Sequence, residues 1–290
     1  MAVAPNKRAI AVCERTDEPG TAQVSVYHVA NCKRMRTLTH PLRGDFVSCC
    51  FSGDSKLLAA VGTGEGDAAQ IVVWSWEQSR VVRSSGSAVH HSGGGARATR
   101  VCFNPDDSRQ LTTSGPSHLR IWYATPDGVA KVHSLLPASR DKDTFADHAW
   151  LKGSSSSSSG TTASSGLAAG ARSGQTAAAA AAAQQQPTRM VAITDGEGVR
   201  DSRGASILIF DSVPGHPFLE LRQMIAAALP GSTRLETVCP YSKGFLVAGG
   251  GVAAGFLGVY EASDERRSPY MLIKVTCSSS SSSLSATLCV

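Results

Sequence analysis

An aliphatic residue followed by an aromatic one recurs along this chain at nearly constant spacing: Val26-Tyr27, Val73-Trp74, Ile121-Trp122, Ile209-Phe210 and Val259-Tyr260. The aromatic positions lie 47, 48, 88 and 50 residues apart, and the 88 becomes 52 once the 36 residues Lys152 to Pro187 are set aside. A regular period of this length constrains the fold strongly. Each repeat is one supersecondary unit that buries its face only against a neighbour like itself.

The unit is clearest from Thr99 to Tyr123. Val101-Cys102-Phe103 is a short apolar run. Asn104-Pro105-Asp106-Asp107 is a turn, because Pro presets φ and Asn and Asp bond nearby backbone. Gln110 to Ser114 is a second strand, Gly115-Pro116-Ser117 a second turn, and Leu119, Ile121 and Tyr123 alternate with Arg120 and Trp122 in a third. Val129 to Leu136 supplies a fourth. The preceding unit reads as Phe46 to Phe51, Leu57 to Val61, Ile71 to Trp76 and Val81 to Arg83.

The ends are less regular. Ala9 to Cys13, Gln23 to Val29 and Arg36 to Thr39 form a first unit that begins partway through. His148-Ala149-Trp150-Leu151 opens another, interrupted by a Ser, Gly, Ala and Gln tract over 152–187 that buries too little surface to order itself. Arg189 to Thr194 and Ser206 to Asp211 resume it. Leu221, Met224, Ile225 and Leu229 have helical spacing before Pro230, which predicts a short helix or bent strand. Glu236 to Val238, Phe245 to Ala248, Phe256 to Tyr260 and Tyr270 to Val275 make the last unit, and 277–290 is a Ser-rich tail. The expectation is an all-β fold: a β-propeller of about five divergent blades, incomplete as a ring, over 1–151 and 188–276. A sandwich needs no such regular repeat.

Formal net charge is +5 with scattered basic residues, and no zinc, basic-helix or single-strand-binding pattern occurs, so nucleic acid is not an expected partner. The eight cysteines contain no C-x-x-C pair. Several fall in strands, where free thiols serve as small hydrophobes in a reducing compartment. No signal-peptide core and no run of membrane length is present, which leads us to expect an intracellular protein with no membrane partner.

Little in the chain suits chemistry. Gly62-Thr63-Gly64-Glu65-Gly66 lacks the Lys-Ser/Thr and following helix of a phosphate loop and reads as a loop between strands, as does Gly249-Gly250-Gly251. His90-His91 has no further ligand nearby. His118 and His148 invite a relay reading, yet no nucleophile motif accompanies them, and a structural hydrogen bond within a blade is the better expectation. Asp106-Asp107 and Asp141-Lys142-Asp143 are turn and loop carboxylates. No enzyme activity, cofactor or metal is expected. Trp76, Tyr123 and Tyr241 either lie between blades or anchor a partner peptide, since Trp and Tyr offer contact area and a polar handle.

The turns Ser52-Gly53-Asp54-Ser55-Lys56 and Asn104-Pro105-Asp106-Asp107-Ser108 resemble the S-P-D-S-K turn of WD40 repeats. Val73-Trp74, Ile121-Trp122 and Ile209-Phe210-Asp211 sit at that family's W-D position, although only Asp211 keeps the acid and no Gly-His dipeptide precedes a blade. The repeat-defining residues are thus Tyr27, Trp74, Trp122, Phe210, Asp211 and Tyr260. Longer strings are similar to the N-terminal propeller of the cilia- and flagella-associated protein 57 family, WD-repeat proteins of the axoneme. They are Ala9-Ile10-Ala11-Val12-Cys13-Glu14, Val72-Val73-Trp74-Ser75-Trp76-Glu77, Val101-Cys102-Phe103-Asn104-Pro105, His148-Ala149-Trp150 and Tyr241-Ser242-Lys243-Gly244-Phe245.

That resemblance implies a non-enzymatic scaffold at the cilium or flagellum axoneme, part of the cytoskeleton. Its implied partners are inner dynein arms or their docking factors on doublet microtubules. It also implies a longer protein with a coiled coil, whereas this chain has no heptads. A general cytosolic WD40 interaction scaffold is the alternative.

Overall fold

In the computed structural model the described residues are 1–17, 19–42, 44–64, 69–84, 97–125, 128–132, 143–151, 188–196, 205–212, 218–227, 234–250, 255–263, 265 and 268–278. The tract 152–187, the His90-His91 pair and the tail beyond Ser278 lie outside them.

Five four-stranded sheets follow one another, each antiparallel with its strands in chain order. Blade 1 holds β1 (Ala2–Val3), β2 (Ala9–Glu14), β3 (Thr21–His28) and β4 (Arg34–Pro41). Blade 2 holds β5 (Phe46–Phe51), β6 (Leu57–Thr63), β7 (Ala69–Ser75) and β8 (Arg80–Ser84). Blade 3 holds β9 (Arg100–Phe103), β10 (Gln110–Gly115), β11 (His118–Thr125) and β12 (Gly128–Val132). Blade 4 holds β13 (Phe145–Leu151), β14 (Arg189–Thr194), β15 (Ser206–Ser212) and β16 (Leu219–Ala226). Blade 5 holds β17 (Arg234–Tyr241), β18 (Gly244–Gly250), β19 (Gly255–Ala262) and β20 (Tyr270–Ser278). This is an all-β propeller fold.

The five aliphatic-aromatic pairs occupy the third strand of each blade at one register. Tyr27, Trp74, Trp122, Phe210 and Tyr260 pair across to Ile10, Leu58, Leu111, Met190 and Phe245 on the second strand. In four blades the pairing to the fourth strand slips between the two members of the pair, so that Met35, Val82, Arg222 and Ile273 are bulged. A bulge adds local twist and turns the outer strand. The repeat is therefore written in backbone register as well as in residue type.

Successive blades meet face to face through apolar cores. Trp74 joins Val24, Val26 and Leu38 between blades 1 and 2. Trp122 joins Val61, Ile71 and Val73 between blades 2 and 3. Phe210 joins Leu119 and Ile121 between blades 3 and 4, and Tyr260 joins Val191, Ile207 and Ile209 between blades 4 and 5. Each aromatic thus faces back onto the preceding blade. At about 25 cal/mol per Å² of apolar area, one such ring contributes on the order of 2–3 kcal/mol.

Side chains fix the turns too. Asp54 accepts hydrogen bonds from Ser52 Oγ (2.6 Å) and Lys56 N (3.1 Å), and Ser52 Oγ accepts from Leu57 N (2.9 Å). Gly53 is required there: a Cβ would lie 2.2 Å from the Pro105 carbonyl oxygen of the next blade's equivalent turn.

Several elements differ in type or extent from what the residue pattern predicts. Of the two expectations for the segment with helical spacing, a short helix or a bent strand, the strand is what forms: it is β16, whose Leu219, Leu221, Gln223 and Ile225 turn inward while Glu220, Arg222 and Met224 are exposed. A period of two buries these residues where a period of 3.6 would not. Gly249 and Gly250 belong to β18 and not to a loop, paired to both β17 and β19, and glycine is needed at 249 because a Cβ there would lie 1.9 Å from the Arg234 carbonyl oxygen. Likewise Gly62 and Thr63 end β6. The outer strand of blade 5 runs to Ser278, three residues past the expected Val275.

Candidate interaction surfaces

The first strands of the blades carry polar residues that pass hydrogen bonds from blade to blade. Ser48 Oγ on β5 accepts from Val101 N on β9 at 3.3 Å. Arg100 Nε on β9 lies 3.1 Å from Asp147 Oδ1 on β13. Asp147 Oδ2 accepts from Thr237 Oγ1 (3.0 Å) and Val238 N (3.1 Å) on β17. Register slips after Phe46, Phe145 and Leu235 place Ser48, Asp147 and Thr237 at equivalent positions. Asp147 is buried and ties three blades together, whereas the Arg100 side chain remains 46% exposed. Sulfur contacts run alongside: Cys49 Sγ donates to Ala11 O and Cys102 Sγ to His148 O, each at 3.7 Å.

A second set centres on the hydroxyls of β10. Trp122 Nε1 donates to Thr113 Oγ1 at 2.8 Å, and that oxygen lies 2.7 Å from His118 Nε2. Thr112 and Ser114 point the other way, toward blade 4. Trp150 Nε1 donates to Thr112 Oγ1 at 2.9 Å, and Ser114 Oγ lies 2.7 Å from His148 Nδ1. Burial and the nearby Arg100 charge push the His148 imidazole down to about 3, so it is neutral at physiological pH. Ser114 and His148 superficially form a nucleophile and base. Both are wholly enclosed, so a substrate has no way to the hydroxyl and the pair acts as an inter-blade clasp. The structure gives both histidines hydroxyl partners where a relay would need a carboxylate.

The remaining singled-out residues separate by exposure. Trp76 is 3% exposed, donates its indole N–H to Ser55 O at 2.8 Å and meets Phe51 edge-on at 5.9 Å. It lies between blades 1 and 2 and presents no contact surface. Tyr123 is half-buried beneath the Arg109 guanidinium, 5.3 Å from its ring centroid. Tyr241 is half-buried and donates to Glu261 Oε1 at 3.0 Å. Tyr27 donates to Glu14 Oε1 at 2.5 Å, and Ser25 and Gln23 donate to the other oxygen at 2.6 and 2.8 Å. The Ser25 and Tyr27 hydroxyls hold the Glu14 carboxyl below its usual range. Asp211, at the W-D position, lies 2.8 Å from Arg189 Nε in an ion pair within blade 4. The aromatics proposed as anchors are therefore not gathered at one place.

An open hollow of about 700 Å³ near blades 1 and 2 is lined by Glu14, Arg15, Asp45 and Arg97 among others. Arg15 pairs with Asp45 at 3.3 Å across it, and the mixed charges converge on no common point. Among the described residues no group of three or more His, Cys, Asp or Glu side chains is placed to hold a metal ion. Among the same residues no helix is long and apolar enough to cross a membrane.

These features define a β-propeller of four-stranded antiparallel blades. No protein-family model matches the chain. Mouse (Mus musculus) cilia- and flagella-associated protein 44 is 28% identical to it over 123 residues, which are 42% of this chain and 6% of that protein. Among solved structures, the β-propeller domain of Myceliophteria thermophila Cps50 (Swd1) is similar with a TM-score of 0.57 at 11% identity, over 95% of this chain and 69% of the other. The periplasmic gluconolactonase of Pseudomonas aeruginosa gives 0.58 at 10% identity, over 95% and 70%. Saccharomyces cerevisiae Sqt1 gives 0.55 at 9% identity, over 95% and 61%. At such identities these likenesses establish the fold alone.

Proposed function

We propose that this chain is a non-enzymatic WD-repeat scaffold of the ciliary or flagellar axoneme that helps assemble or dock inner dynein arms on doublet microtubules. The observation that carries the reading is the 123-residue likeness to a cilia- and flagella-associated protein, on a fold whose buried Asp147 and Ser114–His148 pair join neighbouring blades. The strings that resemble the cilia- and flagella-associated protein 57 family, Trp74-Ser75-Trp76-Glu77 and Tyr241-Ser242-Lys243-Gly244 above all, are the ground for the inner-arm part of this proposal. Tyr123 and Tyr241 are the partner-contacting aromatics in this reading, because both retain exposed ring surface. Detergent extraction of ciliated cells tests it. The protein is expected to stay with the demembranated axoneme and to leave with inner arms under high salt. Complete release into the detergent-soluble fraction overturns the proposal.

A further inference from the structure

One face of β2 holds blade 1 to blade 2 at every second residue. The Ala11 carbonyl oxygen accepts from the Cys49 thiol on β5 at 3.7 Å. Two residues on, the Cys13 thiol meets that same Cys49 sulfur. Just past the strand, the Arg15 guanidinium pairs with Asp45 at 3.3 Å. Positions 11, 13 and 15 fall on one side because successive side chains of an extended chain alternate. Cys49 is 5% exposed in the core between blades 1 and 2, and Cys13 packs against that core. On this seam two sulfurs from separate sheets therefore already meet.

The two thiols differ in access. Cys13 is half-buried and lines the open hollow of about 700 Å³, together with Arg15, Asp45 and Arg97. Cys49 is buried. A small oxidant in the hollow thus reaches Cys13 first. The hydrogen bond between the sulfurs favours the thiolate of Cys49 and keeps Cys13 as the thiol. Cys49 is therefore placed to attack its neighbour once that neighbour is oxidised. Cys50 and Cys102 are arranged differently. Cys50 turns to the opposite face of β5, against the core between blades 2 and 3. A Cys49–Cys50 bond would pull β5 out of its pairing with Ala59 and Ala60. Cys102 directs its proton to the His148 carbonyl oxygen.

We propose that Cys13 and Cys49 form a redox modification site, in which a hydroperoxide entering the hollow oxidises Cys13 and Cys49 then closes a disulfide that locks blade 1 to blade 2. With hydrogen peroxide, the Cys13 sulfur attacks one peroxide oxygen, the O–O bond breaks and the other oxygen leaves as water, which gives the Cys13 sulfenic acid. The Cys49 sulfur then attacks the Cys13 sulfur, the S–O bond breaks, and the hydroxide departs with the Cys49 proton as a second water. Two thiols lose two electrons and one peroxide gains them. The first step is slow, because Cys13 is held as the thiol. The inference rests on the seam between two blades and is independent of the ciliary reading.

The test uses the full chain with Cys32→Ser, which removes an exposed thiol that would join one molecule to another. Reduced protein is held in about 1 mM hydrogen peroxide for about an hour. Remaining thiols are blocked by a maleimide in urea, and a tryptic digest is read by mass spectrometry without reduction. The peptide Ala9–Arg15 is expected to be joined to Gly44–Lys56, a link that persists with Cys50→Ser and disappears with Cys49→Ser. With Cys49→Ser, dimedone is expected to trap Cys13 as the sulfenic acid. The disulfide closes the chain from 13 to 49, so the oxidised protein is expected to melt about 5 °C or more above the reduced one, a rise that dithiothreitol abolishes. A Cys13 that stays reduced under this treatment overturns the proposal. So does a Cys13 oxidised to the sulfinic acid beside a free Cys49, or a link that is lost with Cys50→Ser and kept with Cys49→Ser.

Discussion

Asp147 receives Arg100 from the preceding blade on one carboxylate oxygen and the backbone N–H of Val238 from the following blade on the other, both at 3.1 Å. One buried side chain thus joins three sheets. Removing it strands the Val238 amide and the Thr237 hydroxyl. Asp147→Ala is expected to cost about 3 kcal/mol, within the range for breaking a buried charged network. Arg100→Ala should cost only about 1 kcal/mol, because the arginine is half exposed and Asp147 keeps its other donors. Urea midpoints at unchanged slope give both values, and equal costs would refute the asymmetry.

Acid should loosen the clasp between blades 3 and 4. An unfolded His148 takes up a proton near pH 6.5, whereas the folded imidazole refuses one until about pH 3. The unfolded state therefore binds more protons in between, and stability falls as pH drops through that window. Going from pH 7 to pH 5 is expected to remove about 2 kcal/mol through this residue. His148→Gln keeps a polar partner for Ser114 and should flatten that part of the profile, read by urea unfolding at both pH values. An unchanged slope would show that His148 is not the cause.

The aromatic series gives a graded test of the repeat. Trp74→Ala opens a cavity in a full core and should cost about 4 kcal/mol. Tyr27→Ala, at the same register on an uncovered face, should cost about 1 kcal/mol, mostly through the lost bond to Glu14. Similar costs at both positions would mean that the outward face of blade 1 is covered.

The spacing of Val26-Tyr27, Val73-Trp74, Ile121-Trp122, Ile209-Phe210 and Val259-Tyr260 made the blade legible, because stacking puts the same third-strand position of each blade in an apolar environment whatever the loops between strands hold. The Asn104-Pro105 and Ser52-Gly53 turns were legible for a local reason, since their side chains bond backbone two to five residues away. The first strand of blade 1 was not, because the two residues Ala2–Val3 carry no periodicity. Blade 4's outer strand misled because Leu221, Met224 and Ile225 satisfy a helical spacing while Gln223 hides an inward position. Nor could Asp147, Thr237 and Val238 be joined from sequence. Their partnership spans some 90 residues and depends on register slips in separate sheets. The hydroxyls of Thr112, Thr113 and Ser114 left a weak signal, a run of three hydroxyl-bearing residues within one short strand.

Thiol reactivity separates packing from chemistry among the described cysteines. Cys32 is exposed in a turn at φ 54° and should be labelled by a maleimide within minutes at neutral pH. Burial pushes the Cys50 and Cys102 thiols up, so little thiolate is present to react. Cys13 is raised mainly by its contact with the Cys49 thiol, and Cys49 is itself buried. Mass spectrometry of peptides after brief labelling should therefore find Cys32 modified and Cys49, Cys50 and Cys102 intact, with all four modified after unfolding in urea. Rapid labelling of Cys102 in the folded protein would mean that blades 3 and 4 separate on that timescale. The Cys102 contact with His148 would then be an opening seam, and Ser114→Ala, which removes the adjoining clasp, should accelerate the labelling further.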